Sequence, residues 1–246
     1  MNREFNMKQA QHTLNVCDTK YKADIQDSFN RTIVYDNYKL DKHTIGKPDI
    51  KLVDMRTLDA VSKYSEDKTA VLNFASYRNP GGGFLTGAMA QEESLCHKTT
   101  LFKVLDDFRD TFYATNLKRL NRNLYDNRAL YTPDIVYWGG KVAKTFNVLT
   151  CAAPNFNGAR KHKVTQKENY EALKSRIEFV LDILEAQGCE TVILGAFGCG
   201  VFGQNPFDVA RLFKQLASNR PFNNIVYAVP DKSSENYRAF KMVLGR

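Results

Sequence analysis

Short, uniformly apolar runs alternate along this chain with longer segments that are apolar on one face only, and that order decides what it can fold into. Strands are predicted over 31–35, 50–53, 70–74, 135–138, 147–152, 191–194 and 224–229. Helices are predicted over about 5–17 and over 55–65, 91–105, 109–121, 165–186, 206–217 and 234–244. The longest of them carries Tyr170, Leu173, Ile177, Val180, Leu181 and Leu184 on one face. Strands separated by helices build a largely parallel sheet covered on both sides, an α/β architecture. No Pro/Gly/Ser-rich linker, charge block or repeat divides the 246 residues. One domain over 1–246 is therefore expected, with a helical extension at about 1–30.

Two of the turns that follow these strands are built from glycine. The first lies beyond Ala70-Val71-Leu72-Asn73-Phe74 and reads Asn79-Pro80-Gly81-Gly82-Gly83, then seven residues, then Gln91-Glu92-Glu93. A backbone without side chains lets its N–H groups approach anionic or sugar oxygens, so the loop reads as a ligand cradle, though tight packing uses glycine as readily. Paired carboxylates are what glycoside chemistry needs to protonate a leaving oxygen, steady an oxocarbenium-like centre and activate water. At the start of a helix they also simply favour its positive end. In a helix over 91–105, Glu92 and Glu93 point about 100° apart and take different roles.

The second glycine turn follows the buried-type strand Thr191-Val192-Ile193-Leu194, with Gly195, Gly198 and Gly200 before Asn205-Pro206 opens a helix. Strand, glycine turn and helix together aim backbone N–H groups and a helix N-terminus at one point, an anion site suited to a pyrophosphate. Phe197 reads as a core aromatic. Both turns fall at the C-terminal ends of strands, where such sheets hold ligands.

Cys17, Cys96, Cys151, Cys189 and Cys199 are scattered and lack Cys-x-x-Cys spacing, which predicts free thiols. Cys199 sits in the second glycine turn, but His12, His43, His97 and His162 are not tied to it by sequence, so a nucleophilic role is rejected. No His or Cys pairing has metal-ligand spacing, and neither a metal nor a cofactor is expected. The first residues form no apolar run resembling a signal peptide, and no stretch approaches a membrane span; a cytoplasmic or nuclear protein is expected. Lys and Arg outnumber Asp and Glu by 35 to 27, a formal charge of +8 that favours anionic partners. Two clusters are candidates for steering them, one of Lys118, Arg119, Arg122 and Arg128, the other of Arg160, Lys161 and Lys163. No nucleic-acid module appears, so nucleic acid stays open but unsupported.

Gly81-Gly82-Gly83, the seven-residue gap and Gln91-Glu92-Glu93 resemble the signature of the poly(ADP-ribose) glycohydrolases of microbial type. Leu72-Asn73-Phe74-Ala75-Ser76, Leu130-Tyr131-Thr132-Pro133-Asp134 and Ala153-Pro154-Asn155 fall in the family's order. Leu194-Gly195-Ala196-Phe197-Gly198-Cys199-Gly200-Val201-Phe202 is similar to the diphosphate loop of macrodomains. The likeness runs over nearly the whole chain and is thinnest before about residue 50. His97-Lys98-Thr99-Thr100 departs from the arginine and serine common there in the family, which alters contacts near the signature but not the signature itself.

The resemblance implies a macrodomain-like three-layer α/β/α sandwich with a mixed central sheet. It implies cleavage of the ribose–ribose bonds of poly(ADP-ribose), free or on protein, with release of ADP-ribose. Glu93 is then the general acid and base, and Gln91 and Glu92 orient the sugars. Gly81, Gly82 and Gly83 approach ribose and phosphate, Gly198, Cys199, Gly200 and Val201 wrap the pyrophosphate, and Phe202 packs on the ribose beside the scissile bond. Asn73 is a further candidate sugar contact. A general acid must hold its proton against the pull of a helix N-terminus, so burial is expected to oppose that pull. A monomer is expected. Two other readings stay open: a macrodomain that binds ADP-ribose without cutting it, and a hydrolase of single ADP-ribose groups on protein or nucleic acid.

Overall fold

The computed structural model describes residues 2–245. Two helices, α1 (Arg3–Lys20) and α2 (Lys22–Arg31), precede β1 (Ile33–Asp36) and β2 (Asp49–Val53). Then come α3 (Thr57–Tyr64), β3 (Thr69–Phe74), α4 (Gln91–Cys96), α5 (Leu101–Asp107) and the short α6 (Ala114–Leu117). The chain continues through β4 (Arg128–Tyr137), β5 (Lys144–Cys151), the one-turn α7 (Phe156–Ala159) and the long α8 (Gln166–Ala186). It ends with β6 (Thr191–Leu194), α9 (Pro206–Ala217), β7 (Asn224–Ala228) and α10 (Glu235–Leu244).

The strands form one seven-stranded sheet in the order β1-β4-β5-β3-β6-β7-β2. The five strands from β5 to β2 are parallel, whereas β4 runs antiparallel to both β5 and β1, so the sheet is mixed. Central strands must be apolar on both faces, and Thr69–Leu72 of β3 and all of β6 are buried. One core, centred on Leu181, Phe213 and Tyr227, fills the face beneath α8, α9 and α10. A second, centred on Phe84, Leu101 and Phe102, fills the face beneath α1 to α5. The result is three layers, helix, sheet, helix, as expected from the alternation.

Local chemistry fixes the helix ends. Thr165 and Glu168 close a capping box on α8, accepting from each other's backbone N–H. Ser234 caps α10 and Gly245 ends it in the left-handed region. α1 lies over the first glycine loop: Asn6 donates to the Gly87 carbonyl at 3.0 Å and Thr13 to that of His97 at 2.6 Å.

The bounds of three elements differ from expectation. The helix predicted over 91–105 is two helices, because the helical hydrogen-bond ladder is interrupted over 97–100, where the backbone bonds to the sheet edge instead. Thr100 N–H donates to Val136 at 3.1 Å, Trp138 N–H to Lys98 at 3.2 Å, and Thr99 bridges Tyr137. The helix predicted over 109–121 is a π-helical turn, Arg109–Tyr113, followed by α6, and Asn121 already has a positive φ. β4 begins seven residues earlier than the strand predicted from 135, while α1 and α2 together fill the helical extension expected at about 1–30. The apolar signal of β4 is interrupted by a bulge between Thr132 and Ile135, where Asp134 has φ +52°.

Candidate active site

The loop after β3 turns back on itself so that its glycines lie against the start of α4. Gly82 has φ +59°, and a Cβ there would fall 2.5 Å from Glu93 Oε1 and 2.9 Å from Glu92 Oε2. Gly81 has φ +65°, and a Cβ there would strike Phe102 at 2.6 Å. Glycine is required at both positions, and the two carboxylates converge on the backbone of Gly82.

Each carboxylate is fixed by backbone donors. Glu93 Oε1 accepts from Gly83 N–H at 2.8 Å, and Oε2 accepts from Ala90 N–H at 2.9 Å, reaching back over the first turn of its own helix. Glu92 is 3% exposed; its Oε2 accepts from Ser76 N–H at 2.7 Å and its Oε1 from Asn73 Nδ2 at 3.3 Å. Burial pushes Glu92 up to about 8, against the pull of the Ser76 and Asn73 donors and with the help of the neighbouring Glu93 charge. A side chain of that kind keeps its proton at neutral pH.

Gln91 does different work. Its Oε1 accepts from Phe74 N–H at 2.8 Å, and its Nε2 donates to the Leu72 carbonyl at 2.9 Å and to Thr57 Oγ1 at 3.2 Å. The amide thus continues the ladder of β3 and locks the start of α4 to the strand end, instead of standing free for a sugar. Asn73 is fully buried behind Glu92, held also by Thr150 at 3.3 Å, and does not line the cavity. Gly82 N–H closes a turn on Asn79 at 3.1 Å, and Gly83 N–H is spent on Glu93. The cradle of free N–H donors expected of this loop is therefore not its geometry.

The second glycine loop supplies those donors. Among the described residues, the N–H groups of Gly200, Val201 and Phe202 reach no acceptor, while Cys199 N–H and Gly203 N–H close turns on Ala196 and Gly200. Successive free N–H groups make an anion nest. The α9 N-terminus does not contribute as expected, because Asn205 Oδ1 accepts from Phe207 N–H at 2.9 Å and from Asp208 N–H at 3.3 Å. Of the motif's glycines, Gly195 is needed because a Cβ would lie 2.7 Å from the Ala228 carbonyl, and Gly198 because its φ is +76°. Gly200 faces open space.

A cavity of about 1150 Å³ joins the two loops. Gly82, Gln91, Glu92, Glu93, Gly198, Gly200, Val201 and Phe202 all line it; Asn73, Gly81, Gly83 and Cys199 do not. The Cys199 thiol is pushed up to about 12 by burial, which agrees with its rejection as a nucleophile. Phe74 and Phe197, with ring centroids 5.7 Å apart, form an apolar wall continued by Val229 and Pro230.

Several residues were not singled out from the sequence. Asn157 Nδ2 donates to the Val201 carbonyl at 3.0 Å and Asn157 N–H to that of Phe202 at 3.1 Å, clamping the loop; a Cβ on Gly203, φ +70°, would run into its side chain. Pro230, Asp231 and Ser234 close the far end of the cavity, and the signal for them was their place just after a parallel strand. His97 also lines the cavity, its ring edge-on to Phe84 at 4.9 Å.

The first basic cluster is largely neutralised. Arg119 pairs with Asp36 at 2.5 Å and Asp126 at 2.7 Å, Arg122 pairs with Glu168 at 2.9 Å, and Arg128 is buried against Asp36. Among the described residues no group of three or more His, Cys, Asp or Glu is placed to hold a metal ion. No helix among them is long and apolar enough to cross a membrane.

A mixed sheet with paired carboxylates after its central strand and a donor-rich loop after the next joins acid–base groups to an anion nest in one cavity, the arrangement of a glycoside-cleaving enzyme of α/β fold. Residues 6–139 match the model of the microbial-type PARG (poly(ADP-ribose) glycohydrolase) catalytic domain, more than half of the chain, and the chain belongs to that family. It is similar over most of its length to solved structures. Poly(ADP-ribose) glycohydrolase from Thermomonospora curvata is 29% identical with a TM-score of 0.86, covering 98% of this chain and 99% of that one. The same enzyme bound to the inhibitor ADP-HPD is 27% identical with a TM-score of 0.84, covering 97% and 99%. The enzyme from Deinococcus radiodurans in complex with ADP-ribose is 27% identical with a TM-score of 0.78, covering 89% and 96%. No curated protein matches the chain significantly.

Proposed function

We propose that this protein is a poly(ADP-ribose) glycohydrolase, cleaving the ribose–ribose O-glycosidic bonds of the polymer and releasing ADP-ribose. The observation that carries the reading is the meeting of Glu92 and Glu93 over Gly82 in a cavity whose opposite wall offers free N–H groups at Gly200 to Phe202. Family membership and the likeness to enzymes solved with ADP-ribose and ADP-HPD support it.

In the proposed mechanism, the diphosphate lies against Gly198 to Phe202, the Phe202 ring packs on the ribose beside the scissile bond, and the anomeric carbon comes over Gly82. In the free protein near neutral pH the proton rests on Glu92, whose carboxyl burial pushes up to about 8. With substrate bound, that proton passes from Glu92 to Glu93, which delivers it to the departing ribose oxygen as the C–O bond breaks, leaving an oxocarbenium-like carbon. Glu93, now a carboxylate, takes a proton from water as the water oxygen bonds to that carbon, which restores the starting state. Its greater exposure, 7% against 3% for Glu92, favours it as the proton carrier that meets substrate. Glu92 holds the sugar, and Gln91 and Asn73 act as positioning residues through β3 and Glu92. Gly82 allows the sugar to approach, with Gly81 and Gly83 shaping the turn.

The packing of Ala10, Cys17 and Ile25 of α1 and α2 into the core of the sheet supports one catalytic domain with these helices as its extension; we propose that it acts as an intracellular monomer. The test is release of labelled ADP-ribose from poly(ADP-ribosyl)ated protein beside protein bearing single ADP-ribose groups. Polymer loss that stops at the mono-modified protein is expected. Removal of the last unit as well would make it a mono-ADP-ribosyl hydrolase, and tight ADP-ribose binding without release would make it a reader.

A further inference from the structure

A second cavity, about 350 Å³, opens on the other side of Phe202 and shares Ser76 and Phe202 with the first. Its lining includes two cations, Arg78 and Lys161, and no carboxylate. Arg78 makes its one side-chain bond to Asn123 Oδ1, at 2.9 Å, and Lys161 has neither an ion pair nor a hydrogen bond among the described residues. Most arginines of this face behave differently, since Arg119, Arg122 and Arg128 each hold a carboxylate. Uncompensated cations at a cavity mouth favour an anion.

The floor of this cavity is built at a conformational cost. Asn121, Arg122, Asn123 and Tyr125 all have φ between +44° and +66°, and an aromatic residue such as Tyr125 rarely adopts that region. The strained segment is held from below by Arg176, 1% exposed, whose guanidinium donates to the Tyr125 carbonyl at 3.2 Å, the Leu124 carbonyl at 3.4 Å and the Ala152 carbonyl. From above, Tyr77 stacks on Tyr125 at 4.2 Å, and Asn155 donates to Tyr125 Oη at 3.4 Å. Phe202 meets the edge of Tyr125 at 6.0 Å, so one ring forms the wall between the two cavities.

Cutting a polymer between two units requires room for the unit on each side of the bond. Ser76, whose N–H holds Glu92, lines both cavities, so the second cavity is the space that adjoins the carboxylate pair across the wall from the large one. We propose that the second cavity is the subsite for the unit left on the shortened chain, seating its ribose against Tyr125 and Asn155 and its diphosphate between Arg78 and Lys161. The inference rests on the glycohydrolase reading, and it adds a determinant of preference for polymer over shorter substrates.

The test compares poly(ADP-ribose) with a 4-nitrophenyl glycoside of ADP-ribose, whose leaving group carries no phosphate. In Lys161→Gln and in Arg78→Gln combined with Lys161→Gln, KM for polymer should rise, by about tenfold in the double variant, with kcat little changed. kcat/KM for the nitrophenyl substrate should stay within about twofold, and the salt dependence of polymer cleavage should flatten. Lys161 makes no contact that folding needs, so its single variant guards against a folding artefact of Arg78→Gln. Equal losses on both substrates, or no loss on polymer, would overturn the subsite while leaving the enzyme reading intact. A wild-type protein inert towards both substrates would overturn the glycohydrolase reading and the subsite with it.

Discussion

The two glycine loops look alike in sequence and do opposite things with their backbones. The loop over Gly81 to Gly83 turns inward: glycine is demanded at Gly81 and Gly82 by side chains pressed against them, and the Gly83 N–H is already bonded to Glu93. The loop over Gly198 to Gly203 turns outward: Gly195 and Gly198 anchor it, Asn157 clamps it, and three consecutive N–H groups remain open. Glycine thus serves in one loop to bring carboxylates to a sugar and in the other to leave donors for an anion. Chemistry and binding are divided between two strand ends of one sheet.

Substitutions can break this division or sharpen it. The largest effect is expected from Glu93→Gln, which removes the proton carrier but keeps a hydrogen-bond acceptor for Gly83: turnover should fall by roughly 10³-fold or more while the ADP-ribose dissociation constant stays within about threefold. Comparable losses of binding and turnover would argue that the two loops are not separable. Gly82→Ala should follow, costing about 100-fold in kcat and about 1–3 kcal/mol of stability in denaturant titration, since the added methyl meets both carboxylates at a positive φ. Full activity in that variant would mean the carboxylates need not converge there.

The proton on Glu92 gives a pH signature. Folding raises this carboxyl from 4.5 to about 8, so the folded state holds the proton more tightly than the unfolded one. The stability that goes with this group is fully present below about pH 4.5 and is lost as pH rises through about 8. Glu92→Gln, which cannot ionise, should therefore gain on wild type in melting temperature at pH 9 relative to pH 5, and a parallel pair of curves would contradict the shift. The smallest effect is expected from Asn157→Ala, which frees the outer loop: KM should rise about threefold with kcat nearly unchanged.

Much of this arrangement is legible in the residues. β3, β6 and the capped helices α8 to α10 follow directly from apolar runs, Thr165, Asn205-Pro206 and Ser234, because local signal and tertiary role agree. The paired carboxylates and the glycine turns are equally plain. What the sequence hides is where a polar group is already satisfied. Gln91 reads as a sugar ligand until its amide is found in the ladder of β3, and the α9 N-terminus reads as an anion site until Asn205 is found capping it. The break in the helix after Cys96 is hidden for the same reason, since its cause is a sheet edge forty residues away in sequence, at Val136 to Trp138.

The most direct measurement of the division between the loops is a crystal structure with ADP-ribose bound. Diphosphate oxygens are expected at about 2.7–3.2 Å from the N–H groups of Gly200, Val201 and Phe202, with Gly83 N–H still on Glu93. A diphosphate held instead by Gly81 to Gly83, with Glu93 released from its bond to Gly83, would contradict that division.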